Sequence, residues 1–519
     1  MYLSDLDLKQ LNERDLTALS ESEKDQLLIK LLRDLMVTRE GLKANSQTSS
    51  RPPSSDPPWS SQEAPGERVG AAGAPEEVLE EESETIPNSE DADEATSTNP
   101  GGQEGKPKKP GRPEGTPGYS RQVQLPLSGS YRHPPEHCVV CGQPLEAGAF
   151  IARTGLYVLE VEAEQESRLR GLRVRHDKHL YGEITCRCGH LNRSEPGRCA
   201  KEPLWEVALT EWHLVGAMLV SLIVCLSQRM HLSRRRIQEF LRDWLGIELS
   251  TSTLNQCIHE AGRAVEPLEE QLVEELQEAY LAHVDETPWK EWGHLVWLWV
   301  ITTPTVCLYF VGYRSQEILT NVFGEGFVGW LMSDGYQVYR QFKRRLRCWA
   351  HLLRKAKGLE DSLTPEARAF GSASHQLLKE LMAAIYRARE GPPVNLEEPF
   401  AERLATFRKL CEQHRDATHE KTRALAREFL NDWEAIWSVL AHPYLPLTNN
   451  EAERALRHWV ILRRISQGTR TEQGSRVVAL LASVIDTCRK RNLLPWPYLA
   501  QVIAERRQGN PAPPLPAAA

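Results

Sequence analysis

A block of strand-forming sequence between residues 278 and 348 constrains the fold of this chain more than any other feature. Runs of β-branched and aromatic residues predict strands there, and Thr303-Pro304-Thr305 between two of them predicts a hairpin. The predicted order is three strands, a helix and a fourth strand, at 280–285, 295–302, 306–311, 315–323 and 327–333. Helical patterns flank this block on both sides, so we predict an α/β unit within a mainly α-helical chain.

Two of these strands are predicted to end at an aspartate. Asp285 ends the first, Asp334 follows the last, and Glu453 begins a late helix predicted over 449–458. Carboxylates are the oxygen ligands that Mg²⁺ prefers, and paired divalent ions stabilise the attacking and leaving oxygens of a phosphodiester displacement. Glu451 competes with Glu453, but residues two apart point about 200° apart on a helix, so both cannot face one site.

Four sequence blocks resemble the signature motifs of the large DDE transposases of insertion-sequence family sixty-six. In chain order they are Asp285-Glu286-Thr287, Ser333-Asp334-Gly335-Tyr336, Cys348-Trp349-Ala350-His351-Leu352 and Thr448-Asn449-Asn450-Glu451-Ala452-Glu453-Arg454-Ala455. The predicted order of strands and helix is the opening order of a ribonuclease-H-like fold. The resemblance implies that Asp285, Asp334 and Glu453 form a metal-binding triad for two Mg²⁺ (or Mn²⁺) ions, and that a helical insertion interrupts this core. Glu286 is expected to face the other side of its strand.

The resemblance implies a DNA transposase. Such an enzyme cleaves at the terminal inverted repeats of its insertion sequence and joins the 3′ ends to target DNA. Its expected partners are double-stranded DNA, further copies of the chain and accessory proteins of the same element. Two alternatives stay open: a ribonuclease-H-like nuclease without strand transfer, and a non-enzymatic zinc and helix-turn-helix DNA-binding protein.

A cysteine-bearing module precedes the helices. Cys138 and Cys141 have the two-residue separation typical of one half of a tetrahedral zinc site. The second half departs from the usual pattern, because one residue separates Cys186 from Cys188. The sequence therefore predicts a structural Zn²⁺ but leaves the fourth ligand open between three residues: Cys188, Cys199 and His190.

A helix, a glycine stop and a second capped helix outline a helix-turn-helix. The first helix begins after Ser233 and ends at Gly246, and Ser250 is the predicted N-cap of the second. We predict DNA contacts from Arg234, Arg235 and Arg236, with simple helix packing as the alternative reading.

Three further side chains near the predicted triad are candidates for DNA binding. Arg454 and Arg457 flank Glu453 and could hold phosphates bidentately, although a solvated helix face would show the same pattern. His351 is predicted either at the rim of the metal site, in contact with DNA, or as a hydrogen-bonded core histidine.

The net charge of −8 is unevenly distributed. Ten acidic residues and no basic ones lie between Glu76 and Glu94, and removing these ten negative charges leaves +2 on the remainder. The apolar run Leu214–Leu226 is too short for a membrane span and predicts a buried helix. The acidic start of the chain and its scattered cysteines predict a cytoplasmic, nucleoid-associated protein with no membrane partner.

The sequence thus predicts a multidomain, mainly α protein with an α/β ribonuclease-H-like catalytic core and a small zinc-binding-like module upstream. The expected segments are a helical leader or coiled coil (1–44), a disordered linker (45–130), the cysteine module (131–200), the helix-turn-helix-like region (201–277), the catalytic core (278–490) with its insertion at about 360–445, and a C-terminal tail (491–519).

Overall fold

Two β-sheets, of four and five strands, organise the described part of the chain. The computed structural model describes residues 29, 125–163, 172–324, 326–392 and 394–517. Apart from Ile29 and residues 125–130, the predicted helical leader and linker lie outside these residues. Within the described ranges, no helix is long and apolar enough to cross a membrane.

The first sheet carries the cysteine module. Its strands are β1 (Gly129–His133), β2 (Ile151–Ala163), β3 (Leu172–Thr185) and β4 (Leu191–Arg193). Strand β3 pairs in parallel with β1 and antiparallel with β2 and β4. Two loops, one after β1 and one between β3 and β4, therefore hold the cysteine pairs that the sequence singles out.

Four helices follow the first sheet: α1 (Ala217–Val224), α2 (Arg234–Leu245), α3 (Thr251–Val265) and α4 (Leu268–Gln277). The predicted buried helix is confirmed, because Leu219 and Val220 of α1 are fully buried. The local signals of the helix-turn-helix outline are also confirmed. Gly246 ends α2 in the left-handed conformation, and the Ser250 hydroxyl accepts a hydrogen bond from the backbone N–H of Thr253.

The second sheet forms from the strand-rich block. It contains β5 (Leu281–Glu291), β6 (His294–Thr302), β7 (Cys307–Gly312), β8 (Trp330–Ser333) and β9 (Arg345–Arg347), with helix α5 (Gln316–Phe323) between β7 and β8. The strand order is β7-β6-β5-β8-β9. The first three strands are antiparallel, whereas β8 runs parallel to β5 and to β9. The predicted hairpin is confirmed, since the Thr303 hydroxyl accepts from the backbone N–H of Val306 between β6 and β7.

Strand β5 is longer than the sequence predicts. The expected end at Asp285 is wrong, because β5 continues to Glu291 and turns into β6 at Trp292 and Gly293. Both turn residues have positive φ angles, of 51° and 81°. Two consecutive residues of this kind form the two-residue hairpin turn that matches the twist of the strands. Asp285 therefore lies inside β5, two residues beyond the last pairing of β5 with β8, at His283.

Seven helices complete the part of the fold that holds the site. They are α6 (Trp349–Glu360), α7 (Pro365–Arg389), α8 (Glu397–Gln413), α9 (Glu420–Asn431), α10 (Trp433–Ala441), α11 (Asn450–Ser466) and α12 (Glu472–Lys490). Helices α6–α10 share an apolar core with Trp330, Met332 and Leu346 of β8 and β9. Helices α11 and α12 pack on the face of the sheet that carries Leu298 and Val300.

The predicted C-terminal tail contains a packed helix, α13 (Pro495–Gln508). Leu499, Val502 and Ile503 of α13 are fully buried, and Arg507 forms a buried ion pair with Glu260 of α3. Proline at the first helical position favours a helix start because its missing N–H has no partner there in any case. The proline-rich sequence therefore begins a helix instead of preventing one.

Candidate active site and metal centre

Two of the predicted acids lie on neighbouring parallel strands. The pairing of β5 with β8 ends at His283 and Met332, and Asp285 and Asp334 each lie two residues further along. Parallel strands in register bring the residues after their last pairing to the same edge of the sheet. Asp334 follows β8 directly, and its side chain accepts a hydrogen bond of 2.8 Å from the backbone N–H of Tyr336.

Asn449 fixes the start of α11, and with it Glu453, against β5. Its side-chain amide donates to the Val284 carbonyl at 2.8 Å, and its amide oxygen lies 3.1 Å from His283 Nδ1. Its backbone N–H lies 3.3 Å from the sulfur of Cys348. The first turn of α11 is thereby attached to the strand that carries Asp285. Asn449 lies inside the last of the four motifs, but its positioning role was not predictable from the motif because its partners are on a distant strand.

The pKa values of Asp285 and Glu286 are raised by their surroundings. Burial and then the charges of Glu286, Asp334 and Glu453 raise the pKa of Asp285 well above its ordinary value. Burial and the charge of Asp334 likewise raise the pKa of Glu286. Mutually repelling carboxylates are stabilised when cations bind among them. Asp285, Asp334 and Glu453 are therefore near enough to interact electrostatically, and their oxygen donors fit a divalent cation.

Glu286 has partners of its own. Its carboxylate accepts hydrogen bonds from the Tyr339 hydroxyl and from Arg314, whose Nε lies 2.9 Å away. The Arg314 guanidinium lies between two aromatic rings, 3.9 Å from the centre of Trp297 and 4.0 Å from that of Tyr336. Arg314 was not among the predicted site residues, because it contacts Glu286 through the fold and not through a local motif.

His351 lies beside Glu453. The distance from His351 Nδ1 to Glu453 Oε1 is 3.9 Å, and Arg354 lies 4.0 Å from the same oxygen. Neither His351 Nδ1 nor Glu453 Oε1 has a hydrogen-bond partner among the described residues. Burial, together with the charges of Arg354, Lys355 and Arg347, lowers the pKa of His351 to about 3, so the imidazole is neutral.

Two sets of side chains within the described ranges bring their ligand atoms within 4.8 Å of one another. One is the four cysteines Cys138, Cys141, Cys186 and Cys188, and the other is Cys348, His351 and Glu453. The three predicted triad acids are not such a set among those residues. The second set contains Glu453, one of the predicted triad acids, and burial raises the pKa of its Cys348 thiol.

Glu451 and the predicted arginines of α11 make separate contacts. Glu451 pairs with Arg454 at 3.0 Å and with Lys490 at 3.4 Å, whereas Glu453 faces His351 and Arg354. Arg454 and Arg457 are both exposed. The two glutamates thus have different surroundings, as their separation on a helix requires.

The arginines of α2 divide into two groups. Arg235 and Arg236 are exposed, but Arg234 is half-buried and donates to the Ser227 hydroxyl at 2.8 Å. Helix α3 is mostly buried, and its exposed residues lie in its first half: Thr251, Ser252, Asn255 and Gln256. Only that end of α3 is accessible, and DNA binding by this region stays a prediction.

The four cysteines form a compact group. Cys138 and Cys188 have their sulfurs 3.6 Å apart, and those of Cys141 and Cys186 are 3.5 Å apart. A tetrahedral ion with sulfur ligands requires separations of about 3.8 Å. Hydrogen bonding by the backbone N–H of Cys141 lowers the pKa of the Cys138 thiol to about 6.

Both cysteine turns end in a glycine. Gly142 and Gly189 have φ angles of 70° and 90°, and each donates its N–H to the carbonyl of the first cysteine in its turn. Glycine adopts this left-handed conformation without steric cost. Cys188, not Cys199 or His190, is the fourth member of the group, which can hold a metal ion.

Residues 213–477, about half of the chain, match the family model described as the transposase IS66 family. The chain is also similar to proteins of Sinorhizobium fredii that are described as uncharacterized. Protein y4qI is 26% identical over 304 residues, covering 53% of this chain and 56% of its own length. Protein y4hP is 24% identical over 414 residues, covering 72% of this chain and 70% of its own length. The chain thus spans little more than half the length of y4qI.

Proposed function

Because this chain belongs to the IS66 transposase family, we propose that it cleaves DNA at the terminal inverted repeats of its insertion sequence and joins the freed 3′ ends to target DNA. The observation that carries this proposal is geometric: Asp285 in β5 and Asp334 after β8 each lie two residues beyond the last pairing of these parallel strands, and Asn449 holds the start of α11, which carries Glu453, against β5. The strand order β7-β6-β5-β8-β9 supports a ribonuclease-H-like core, with α7–α10 as its helical insertion.

The reaction consists of two displacements at phosphorus. In the first, a water oxygen bonds to phosphorus, the bond to the 3′ oxygen breaks, and a 3′-hydroxyl and a 5′-phosphate result. In the second, the 3′-hydroxyl bonds to a target phosphorus and releases a target 3′-hydroxyl. Asp285, Asp334 and Glu453 would hold two Mg²⁺ or Mn²⁺ ions, which supply charge stabilisation for the attacking and leaving oxygens.

The neighbouring residues keep the acids in position. Asn449 holds the first turn of α11 against β5, so Glu453 stays beside the strand that carries Asp285. Neutral His351 and cationic Arg354 lie beside Glu453. In these positions they can hydrogen-bond a phosphate oxygen without adding a negative charge.

We also propose that the cysteine group binds one structural Zn²⁺. Four thiolates at tetrahedral spacing form a closed set with no open position for substrate. The module would therefore stabilise the fold upstream of the core, and the ion would take no part in the reaction.

The test compares single isosteric substitutions of the acids. Asp285→Asn, Asp334→Asn and Glu453→Gln should each abolish Mg²⁺-dependent cleavage of duplexes that carry the element ends, whereas Glu451→Gln should retain substantial activity. Bound Mn²⁺, measured by electron paramagnetic resonance, should fall in the first three variants only. If Glu453→Gln cleaved DNA and Glu451→Gln did not, the assignment of Glu453 as the third acid would be overturned.

A second readout separates the alternatives. Joining of a pre-cut element end to plasmid DNA distinguishes a transposase from a nuclease, because only a transposase uses the 3′-hydroxyl as its nucleophile. DNA binding without any cleavage in wild-type protein would favour the non-enzymatic alternative.

A further inference from the structure

A cavity of about 440 Å³ opens beside Asp334. Its wall includes Asp334 and His351, so it is continuous with the candidate active site. Four of its lining side chains are cationic: Arg314, Arg340, Lys355 and Arg427. Only two lining side chains are acidic, Asp334 and Glu428. The cavity is therefore a basic chamber whose wall contains one of the proposed metal ligands, Asp334.

A partly buried cluster of charges includes Arg340, Lys355 and Glu428 of this wall and extends behind it. Asp432 accepts hydrogen bonds from Arg340 at 3.0 Å and Arg345 at 2.9 Å, and its other oxygen lies 3.1 Å from Arg347 Nε. Glu428 accepts hydrogen bonds from Arg347 and, at 2.7 Å, from Lys355. Four cations thus share two carboxylates, which leaves an excess of two positive charges.

Part of this excess positive charge has no hydrogen-bond partner among the described residues. The Arg347 side chain is fully buried and the Arg345 side chain nearly so, yet NH1 of each guanidinium has no hydrogen-bond partner within the described ranges. Gly335 lines the cavity directly in front of Arg347, because a Cβ at Gly335 would lie 2.6 Å from Arg347 NH2. The absence of a side chain at Gly335 lets the buried guanidinium approach the cavity wall.

The charge of the cluster indicates what it binds. Uncompensated buried cations are costly, and an anion in the chamber would reduce that cost. Guanidinium and ammonium groups form charge-assisted hydrogen bonds with phosphate oxygens. Because Asp334 belongs both to the candidate active site and to the wall of the chamber, a strand whose phosphodiester is held at the acids would have a neighbouring phosphate within reach of the chamber.

We propose that this basic chamber binds a backbone phosphate of the DNA strand being cut, adjacent to the phosphate held at the acids. The proposal rests on the function proposed above. Lys355 and Arg427 contact this phosphate directly, and the cluster of Arg345 and Arg347 behind them supplies its electrostatic stabilisation. Helix α9, which carries Arg427 and Glu428, is thereby given a role in holding substrate.

The experiment combines a neutral phosphate with the removal of one protein charge. Single methylphosphonate linkages are placed in turn at each position around the cleavage site of an element-end duplex, and binding and cleavage are measured. In wild-type protein one flanking position should lose about tenfold in affinity, the factor expected for one charge-assisted hydrogen bond. Lys355→Met should bind the unmodified duplex more weakly, lower the salt dependence by about one phosphate contact, and show no further loss at that position.

The matched control is Lys379→Met, which removes an exposed lysine of α7 and should leave the wild-type pattern unchanged. If Lys355→Met does not fold, Arg427→Gln replaces it. The acid that pairs with Arg427, Asp416, is exposed, so this substitution leaves no buried carboxylate without its partner. The proposal would be overturned if both variants lost as much affinity as wild-type protein at every methylphosphonate position. Cleavage, and so the proposed function, would then be unaffected.

Two further outcomes are informative. Wild-type protein that neither binds nor cuts element-end duplexes would overturn the proposed function and this inference together. If inorganic phosphate stabilises wild-type protein but not Lys355→Met, and no methylphosphonate position distinguishes the two, the chamber binds free phosphate and the DNA assignment is wrong.

Discussion

Asp432 is the acid that pairs with the most arginines of the charge cluster. Asp432→Asn should lower the free energy of unfolding by about 3–5 kcal/mol, the loss expected when one member of a buried ion pair is removed. The side chain is fully buried and contacts Arg340, Arg345 and Arg347. Asparagine has the same shape and can keep one oxygen as an acceptor. It removes the charge, however, and it can place an N–H donor against Arg347 Nε.

Asp416→Asn is the matched control in the same group of helices. Asp416 also pairs with an arginine, Arg427, at 2.7 Å, but its side chain is 80% exposed. Exposed ion pairs contribute less than about 1 kcal/mol. Urea denaturation of the three proteins, followed by circular dichroism and by tryptophan fluorescence, gives the comparison. A loss for Asp432→Asn no larger than that for Asp416→Asn would refute the reasoning.

The loss of stability in Asp432→Asn should also depend on pH. Burial alone would raise the pKa of Asp432, but the hydrogen bond from Arg345 and the surrounding guanidinium charges lower it overall from its ordinary value of 3.8. A carboxyl group whose pKa is lowered by folding stabilises the folded state above its unfolded pKa. The difference in free energy of unfolding between wild type and Asp432→Asn should therefore be largest near neutral pH and should decrease as the pH falls below 3.8.

Two other predictions concern the metal centre and DNA binding. Purified protein should contain about one zinc per chain by elemental analysis. Cys138→Ser or Cys141→Ser should lose the zinc, whereas the control Cys199→Ser should keep it. Zinc-free wild-type protein would contradict the assignment. Affinity for DNA should fall steeply with salt despite the net charge of −8, because basic side chains release counterions from phosphates. Deletion of residues 76–94 should not weaken this binding, and a flat salt dependence or a large loss on deletion would mean that the binding surface lies elsewhere.

Local signals in the sequence predicted local structure correctly. Thr303 and Pro304 indicated the hairpin, and Gly246 and Ser250 indicated a helix end and a helix start. Each of these features is determined by the conformational preference or hydrogen bonding of residues within one turn. The spacing of Cys138 and Cys141 predicted half of the four-cysteine group for the same reason.

Features that depend on distant parts of the chain were not predictable in this way. The choice of Cys188 over Cys199 depends on how β3 and β4 bring a second turn against the first. The length of β5 depends on its pairing with β6 to Glu291. The cluster around Asp432 joins β9 to the end of α9 across 87 residues, and no local motif indicates that Arg345 is a partner of Asp432.

Helix α13 has a consequence for the order in which the protein folds. Arg507 contacts Val215 and Glu260, which precede it by 292 and 247 residues, and the Ser221 hydroxyl contacts the Trp496 carbonyl 275 residues away. Helices α1 and α3 therefore lack part of their packing surface until residues 495–508 have been synthesised. Contacts between such distant residues slow folding and leave apolar surface exposed in the meantime. During translation, the growing chain must keep the apolar faces of α1 and α3 from aggregating until α13 is available to cover them.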